Sequence, residues 1–223
     1  MLLLTVASAG CASTGSPAPR GANEQSTESE SQAIARRFLG DGGGTAAKAG
    51  PAYQWLTVGT LYWVSGPAEP GLLVAAPGGG RPPVRLTGDI AALEAFLAMQ
   101  YSGRLPGVSV LNDIAQLVKD ATFGKRGRIA TPEFFDAQFD VVGRIDDWFE
   151  GHDNYDPADF ARLCPGIRAS LDKNAWTIEF NVFNSWGGVD VVRASGTASP
   201  LTLQQVNIDV VKPHGEFNYP LVD

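Results

Sequence analysis

Residues 176–183 read Trp-Thr-Ile-Glu-Phe-Asn-Val-Phe, the strongest secondary-structure signal in the chain. Large apolar side chains occupy every second position from Trp176 to Val182, with Thr, Glu and Asn between them. Because side chains alternate between the two faces of a β-strand, this pattern predicts a strand with one buried face.

The segment opens an antiparallel meander. Residues 184–188, Asn-Ser-Trp-Gly-Gly, have the composition of a hairpin loop, and a return strand begins at Val189. Residues 196–200 turn the chain again, and a third strand follows over residues 201–210. Its apolar positions change parity at residues 204–205, which indicates a β-bulge there.

A second β-rich region lies near the start of the domain. Residues 53–65 form a long strand-like run with a bend expected at Gly59, and shorter strands are predicted over 72–76 and 84–86. The Asp-Gly-Gly-Gly-Thr sequence at residues 41–45, which precedes this β-rich region, is interpreted as a flexible linker.

Helical spacing of apolar residues marks the middle of the chain and one segment near its start. Residues 90–101 and 111–121 predict two helices, and Thr131-Pro132-Glu133 predicts the start of a third that runs to about residue 149. A short helix is expected at 156–164 and another at 32–39. The fold class is therefore α+β, with antiparallel β-meander segments at both ends of the domain and three to four helices between them.

Charge limits the classes of partner. The chain of 223 residues has 17 basic and 24 acidic side chains, a net charge of −7. Nucleic-acid binding needs a basic face, so we expect no nucleic-acid partner. The net negative charge also argues against adhesion to anionic lipid by charge. It favours a cationic partner, or it serves solubility alone.

The first ten residues predict an exported protein. They are uncharged, aliphatic at first and then small, and they end directly at Cys11. This has the form of a secretory signal and its cleavage site, and it resembles the lipobox of bacterial lipoproteins. The resemblance implies removal of residues 1–10 and lipidation of Cys11 with fatty acyl chains such as palmitate. The alternatives are an ordinary cleaved signal and a cytosolic protein with an apolar first turn.

Two departures from the lipobox pattern bear on the start of the chain. Ser8 stands where the family prefers Leu, and no Lys or Arg precedes the apolar run, so we expect the natural start codon upstream. Ala12 after the cysteine implies, by the usual sorting rule of the family, the outer membrane facing the periplasm.

A disordered tether is predicted after Cys11. From Ala12 to Ala33 no apolar side chain is larger than alanine, which cannot bury enough surface to offset the entropy of ordering. A flexible segment of this length would hold the domain about 25 Å from its attachment point. The predicted organisation is a signal peptide at 1–10, a lipidated tether at 11–33 and one globular domain at 34–223.

Candidate catalytic residues come from two segments. Residues 170–173, Ser-Leu-Asp-Lys, resemble the Ser-x-x-Lys motif of penicillin-binding proteins and β-lactamases. The resemblance implies Ser170 as nucleophile and Lys173 as base on one helix, although no Lys-Thr-Gly motif follows. An acidic cluster over 146–159 supplies Asp147 and Glu150 for acid–base work, against the simpler interpretation of a solvated helix end.

Binding residues are fewer. Asp153 and Asp156 offer oxygen ligands for a cation without the spacing of an EF-hand, so no metal and no cofactor is expected. Trp186 in the hairpin loop is a candidate binding residue, if its side chain is not folded back on the sheet. Cys164, alone once Cys11 is lipidated, is expected to be a buried structural thiol.

The sequence thus favours a non-enzymatic function without excluding an enzyme. We expect a membrane-anchored envelope protein whose domain, of no recognised family, binds an envelope protein or a small ligand. The alternative is an envelope hydrolase that uses the acidic cluster or Ser170 and Lys173.

Overall fold

The computed structural model describes residues 21–67, 71–133, 162–184 and 188–213, with side chains from Glu30 onward. Within these ranges the helices are α1 (Gly21–Leu39), α2 (Ile90–Ala98) and α3 (Leu111–Phe123), and the strands are β1 (Thr45–Lys48), β2 (Thr60–Ser65), β3 (Leu72–Ala76), β4 (Val84–Arg85), β5 (Gly127–Ile129), β6 (Arg168–Asp172), β7 (Ala175–Asn184), β8 (Gly188–Thr197) and β9 (Gln205–Lys212).

The strands form two antiparallel sheets, which confirms the predicted α+β class. The N-terminal sheet has the order β1-β2-β3-β4, and the C-terminal sheet has the order β5-β7-β8-β9, with β6 also paired to β7. The two β-rich regions therefore do not share one sheet. The helices α2 and α3 lie between them in the chain and pack between them in space.

One large core joins both sheets to these two helices. The predicted alternation in β7 is confirmed, since its side chains from Trp176 to Val182 at even positions are buried. They pack in a cluster with α2, α3 and the odd-numbered residues Leu73 and Ala75 of β3. Trp176 also donates its indole N–H to the carbonyl of Thr197 at 3.0 Å, so its one polar atom is satisfied.

A second, smaller core lies on the opposite face of the N-terminal sheet, under α1. Ile34 of α1 is buried there against Tyr62 and Val64 of β2, and the Tyr62 hydroxyl donates to the Glu30 carboxylate at 3.0 Å. Helix α1 begins at Gly21, so residues 21–33 differ from the predicted tether and from the expected helix start at 32. Glu, Gln and Ala have good helix propensity, and docking of Ile34 supplies the stabilisation that composition alone does not.

The long strand predicted over 53–65 is shorter in the structure. Tyr53 belongs to a 3₁₀ turn, and strand pairing starts only at Thr60. The cause is Gln100, which is fully buried and accepts the backbone N–H groups of Thr57 and Val58 at 2.9 and 3.0 Å. These amides therefore bind a side chain instead of a neighbouring strand. Gly59 forms the expected bend, with a φ of +81°.

The segment interpreted as a flexible linker, residues 41–45, ends where β1 begins at Thr45, and β1 pairs residue for residue with β2. The third strand of the C-terminal meander begins later than predicted, at Gln205, because Leu201 and Leu203 are buried in the main core before pairing with β8 starts. The register shift lies opposite Val189 and Asp190 of β8, not at residues 204–205.

Helix ends agree better with the sequence. Helix α2 begins after Asp89, whose carboxylate accepts the backbone N–H of Ala92 at 2.9 Å. Helix α3 ends at Gly124, which has a φ of +60°. Pro132 and Glu133 are helical as predicted, and the remainder of that helix lies outside the described residues.

Candidate functional site

The Ser-x-x-Lys segment is not helical. Ser170 lies on β6, where its hydroxyl oxygen is 2.7 Å from that of Thr177 on β7, and Lys173 is in the following turn with a φ of +53°. Side chains three positions apart on a strand point to opposite faces, so the strand does not give the motif the geometry that a helix would. The expectation of Ser170 and Lys173 as a nucleophile and base on one helix is corrected accordingly.

The remaining candidates, apart from Cys164, lie outside the described residues: Cys11, Asp147, Glu150, Asp153, Asp156 and Trp186. Within the part of the chain that the structure describes, no group of three or more His, Cys, Asp or Glu side chains is arranged to hold a metal ion. No described helix has both the length and the apolar character needed to cross a membrane.

Cys164 is a buried free thiol, as the sequence predicts. It is 4% exposed, and burial raises its pKa to about 12. A thiol that stays protonated at neutral pH is a poor nucleophile, so its role is in packing.

A buried cluster of polar side chains, absent from the sequence predictions, lies where α3 packs against the 3₁₀ turn at Pro51–Tyr53. The Asp120 carboxylate accepts from the Tyr53 hydroxyl and the Lys119 ammonium, and from the Gln116 amide at 3.0 Å. The side chains of Lys119 and Asp120 are only 6% and 5% exposed. The carboxylate is thus paired with a cation and surrounded by donors, as a buried charge requires.

This cluster keeps the Tyr53 phenol protonated. Burial, followed by the negative charge of Asp120, raises the pKa of Tyr53 far above its usual range, so the phenol remains a hydrogen-bond donor. Asp120 accepts one of the three N–H groups that the Lys119 ammonium carries. The cluster therefore holds a lysine cation in place and contains no activated nucleophile.

Beside the cluster is a cavity of about 330 Å³, called here the polar cavity. Its wall includes the cluster together with Trp63 of β2 and further cationic side chains. The lining residues are Gly50, Ala52, Tyr53, Trp63, Gln116, Lys119, Asp120, Lys125 and Arg128. Among these described residues, Lys119 is paired with Asp120, and Lys125 and Arg128 are the further cations.

A second cavity, of about 350 Å³, shares Lys125 with the first and is called here the cationic cavity. Among the described residues it contains three cationic side chains, two hydroxyls and no carboxylate. The lining residues are Gly71, Leu72, Arg85, Thr87, Thr122, Phe123, Gly124, Lys125, Arg126 and Ile208.

Local hydrogen bonds orient the donors of the cationic cavity. The Arg85 Nε donates to the Thr87 carbonyl at 2.7 Å, which leaves both Nη groups of this exposed guanidinium available. The Thr87 hydroxyl accepts the Leu73 backbone N–H at 2.7 Å, so its own proton is free to be donated. Gly124 has to be glycine, since a Cβ there would lie 2.9 Å from the Gly71 carbonyl oxygen.

A third concavity, of about 380 Å³, lies on the outer face of the C-terminal sheet and includes Ser170. Its centre is Glu179, which accepts from Arg168 at 3.1 Å and from Arg193 at 2.7 Å. Arg193 also donates to Asp209 at 2.6 Å. The two arginines are therefore matched by two carboxylates.

Sequence reasoning missed both cavities, although one signal was present. Residues 124–128 read Gly-Lys-Arg-Gly-Arg, three cations within five positions of an acidic chain. Arg85 and Lys119 carry no comparable signal, because only the packing of β4 and α3 beside this run places them there.

The arrangement can bind an oxyanion: it offers cationic donors and hydroxyls and, among its described residues, no nucleophile paired with a base.

Comparison of the chain with protein-family models, with curated proteins and with solved structures finds no match in any of the three.

Proposed function

We propose that this chain is a lipid-anchored protein of the cell envelope, at the outer membrane facing the periplasm, whose domain binds an anionic ligand and has no catalytic role. The anchor is supported by the resemblance of residues 1–11 to a lipobox. The ligand class is supported by the cationic cavity. The first part depends on Cys11 and the second on the folded domain, so they are tested separately.

The observation that carries the ligand class is a local reversal of charge. The chain has a net charge of −7, yet the described lining of the cationic cavity presents the side chains of Arg85 and Lys125 and no acid. A concave surface lined by one sign of charge raises the local concentration of ligands of the opposite sign. Overall acidity favoured a cationic partner, whereas this cavity favours an anionic one.

The anchor is tested by intact mass and membrane partition of the full-length protein expressed in a bacterial host. We expect a mass increase of the size of a lipid and recovery in the membrane fraction, both lost in Cys11→Ser. A soluble protein that retains residues 1–10 would refute the anchor and leave the ligand proposal standing.

The ligand class is tested on soluble Cys11→Ser protein by thermal unfolding in rising inorganic phosphate, with ionic strength held constant by chloride. A ligand that binds only the folded state at 100 times its Kd stabilises that state by about 2.7 kcal/mol. Arg85→Gln should weaken phosphate binding roughly tenfold or more, because a hydrogen bond to a charged group contributes about 1.5–3 kcal/mol.

The matched control is Lys48→Gln, which removes the same charge from an exposed position on β1 that is not among the lining residues of either cavity. Equal weakening by Arg85→Gln and Lys48→Gln would mean that phosphate responds to net charge alone. That result, or no phosphate-dependent shift at all, would refute the proposed site.

A further inference from the structure

The cationic cavity has an apolar wall as well as its charged residues. Its lining includes the side chains of Leu72, Phe123 and Ile208. These residues come from three different elements, since Leu72 begins β3, Phe123 ends α3 and Ile208 lies on β9. Charged and apolar side chains therefore share one concave surface, where both can contact the same ligand.

Ile208 lies where the main core ends. It is paired with Val192 of β8, and Val192 is paired with Phe180 of β7. Residues directly opposite one another in antiparallel strands have their side chains on the same face of the sheet, so all three face the core side. Val192 and Phe180 are fully buried, whereas Ile208 is 45% exposed. The described residues thus leave a large aliphatic side chain uncovered inside a concavity.

The same face of β9 extends this wall beyond the cavity. Val210 is two positions after Ile208, on the same face of the strand, and it is 62% exposed. Two residues of a strand span about 7 Å. In the other direction Val206 packs against the main core. The apolar strip, defined here as Ile208 and Val210, therefore leads outward from the cavity and suits an extended chain.

The opposite side of the cavity is polar. Arg85 is exposed, and its Nη groups are available because the Nε donates to Thr87. The Thr87 hydroxyl adds a neutral donor. Lys125 contributes positive charge, while its aliphatic stem lies so close to Gly71 that a Cβ there would be 3.0 Å from Lys125 Cγ. The described lining thus has a cationic side and an apolar side.

We propose that the ligand is a single-chain amphiphile, with an oxyanionic head at Arg85 and an alkyl chain that lies on Phe123 and the apolar strip. This inference rests on the proposed function and adds an apolar body to the anionic ligand. A bare oxyanion would leave the apolar wall in water, whereas an alkyl chain removes both its own surface and that of the wall from water.

The experiment measures the affinity of alkyl phosphates from methyl to octyl phosphate, by calorimetry on Cys11→Ser protein at constant ionic strength and below micelle-forming concentrations. We expect the affinity to rise about two- to fourfold per added methylene, since fourfold corresponds to about 0.8 kcal/mol for a fully buried CH₂. If methyl phosphate binds and chain length adds nothing, this inference is wrong and the proposed function stands. If neither methyl nor octyl phosphate binds, both fail.

One variant tests the apolar wall. Ile208→Thr keeps a β-branched side chain at an exposed position and removes apolar surface. It should weaken octyl phosphate about threefold or more and leave methyl phosphate unchanged. The matched control is Val108→Thr, which alters an aliphatic side chain that is 51% exposed and is not a lining residue of the cavity. Octyl phosphate binding that is the same in Ile208→Thr and in the parent would refute the placement of the chain.

The head is tested by charge. Arg85→Gln should weaken methyl and octyl phosphate alike, and the uncharged octanol should bind far more weakly than octyl phosphate. Octanol binding as tight as that of octyl phosphate would refute the head at Arg85, because the apolar wall alone would then account for the affinity.

The ligand is a single molecule and not a membrane surface, because a chain with a net charge of −7 is repelled by anionic lipid. Co-sedimentation of Cys11→Ser protein with vesicles of phosphatidylcholine and phosphatidylglycerol checks this point. We expect the protein to stay in the supernatant. Capture of the protein by these vesicles would identify a bilayer surface as the partner and overturn the inference.

Discussion

Replacing Asp120 by Asn tests whether the buried cluster is built around a charge. The substitution keeps the shape of the side chain and removes its negative charge. The Lys119 ammonium then has no counter-charge in a position that is 6% exposed. In addition, the new amide has only one acceptor oxygen for the three donors of Tyr53, Gln116 and Lys119.

The expected loss is large because one partner of a buried ion pair remains. Removing one member of such a pair costs about 3–5 kcal/mol of unfolding free energy. For a domain of this size, each kcal/mol lowers Tm by about 2–4 °C, so the total decrease is about 6–20 °C. Adding Lys119→Met to Asp120→Asn removes the unpaired ammonium with a side chain of similar length. It should restore at least half of the lost stability.

Urea unfolding followed by far-ultraviolet circular dichroism measures these free energies in the Cys11→Ser protein. The two single variants and the double variant form a cycle that isolates the coupling between the side chains. A loss below about 1 kcal/mol in Asp120→Asn would show that the pair behaves as a solvated surface contact. A double variant that is less stable than Asp120→Asn would refute the reasoning as well.

Three further predictions concern the fold. Gln100→Ala should lower the unfolding free energy by about 2–4 kcal/mol in urea denaturation, because it empties a fully buried position and leaves partly buried backbone groups of residues 57–58 without their partner. Gly196→Ala should abolish folding or lower the unfolding free energy by more than about 4 kcal/mol, since the added Cβ would lie 1.9 Å from the Thr202 carbonyl oxygen. The control Gly107→Ala should be tolerated, because the space around Gly107 is open. Cys164 should resist alkylation in the native state at pH 8 and react after unfolding. The folded-state pKa of Cys164 is about 12, against an ordinary value of 9.0, so the contribution of this thiol to stability is present below pH 9 and is lost between pH 9 and 12. Urea unfolding at a series of pH values should show this decline, and Cys164→Ala should lack it.

Strong periodicity made much of the fold predictable. The alternation over 176–182 and the helical spacing over 111–121 correspond to β7 and α3, because in both the apolar positions face the same core. Short strands gave no such signal. The sequence Thr-Ala-Ala-Lys of β1 has no amphipathic pattern, and its register comes entirely from pairing with β2.

Burial at the candidate site could not be predicted for a different reason. Lys119 and Asp120 lie off the apolar stripe of α3, so the spacing assigns them to solvent. The 3₁₀ turn at Pro51–Tyr53 covers that side of the helix and provides the Tyr53 hydroxyl. Conversely, Ile208 and Val210 alternate as in a half-buried strand, yet they are 45% and 62% exposed, because the described core does not extend under β9, where both faces are largely exposed.

The small core under α1 has a mechanical consequence for a tethered protein. Helix α1 is the first described element after residue 20, so force applied through the preceding chain reaches α1 before any strand. Its described contacts with the rest of the fold are made by Ile34, Phe38 and Leu39 and by the Glu30–Tyr62 hydrogen bond, on the face of the N-terminal sheet away from the main core. If the chain is held at Cys11 as proposed, tension would detach α1 first and lengthen the segment between the anchor and the main core. The larger core and both cavities have no described residue of α1 in their lining, so they would remain folded. Local unfolding of α1 would therefore extend the chain under load before the main core is affected.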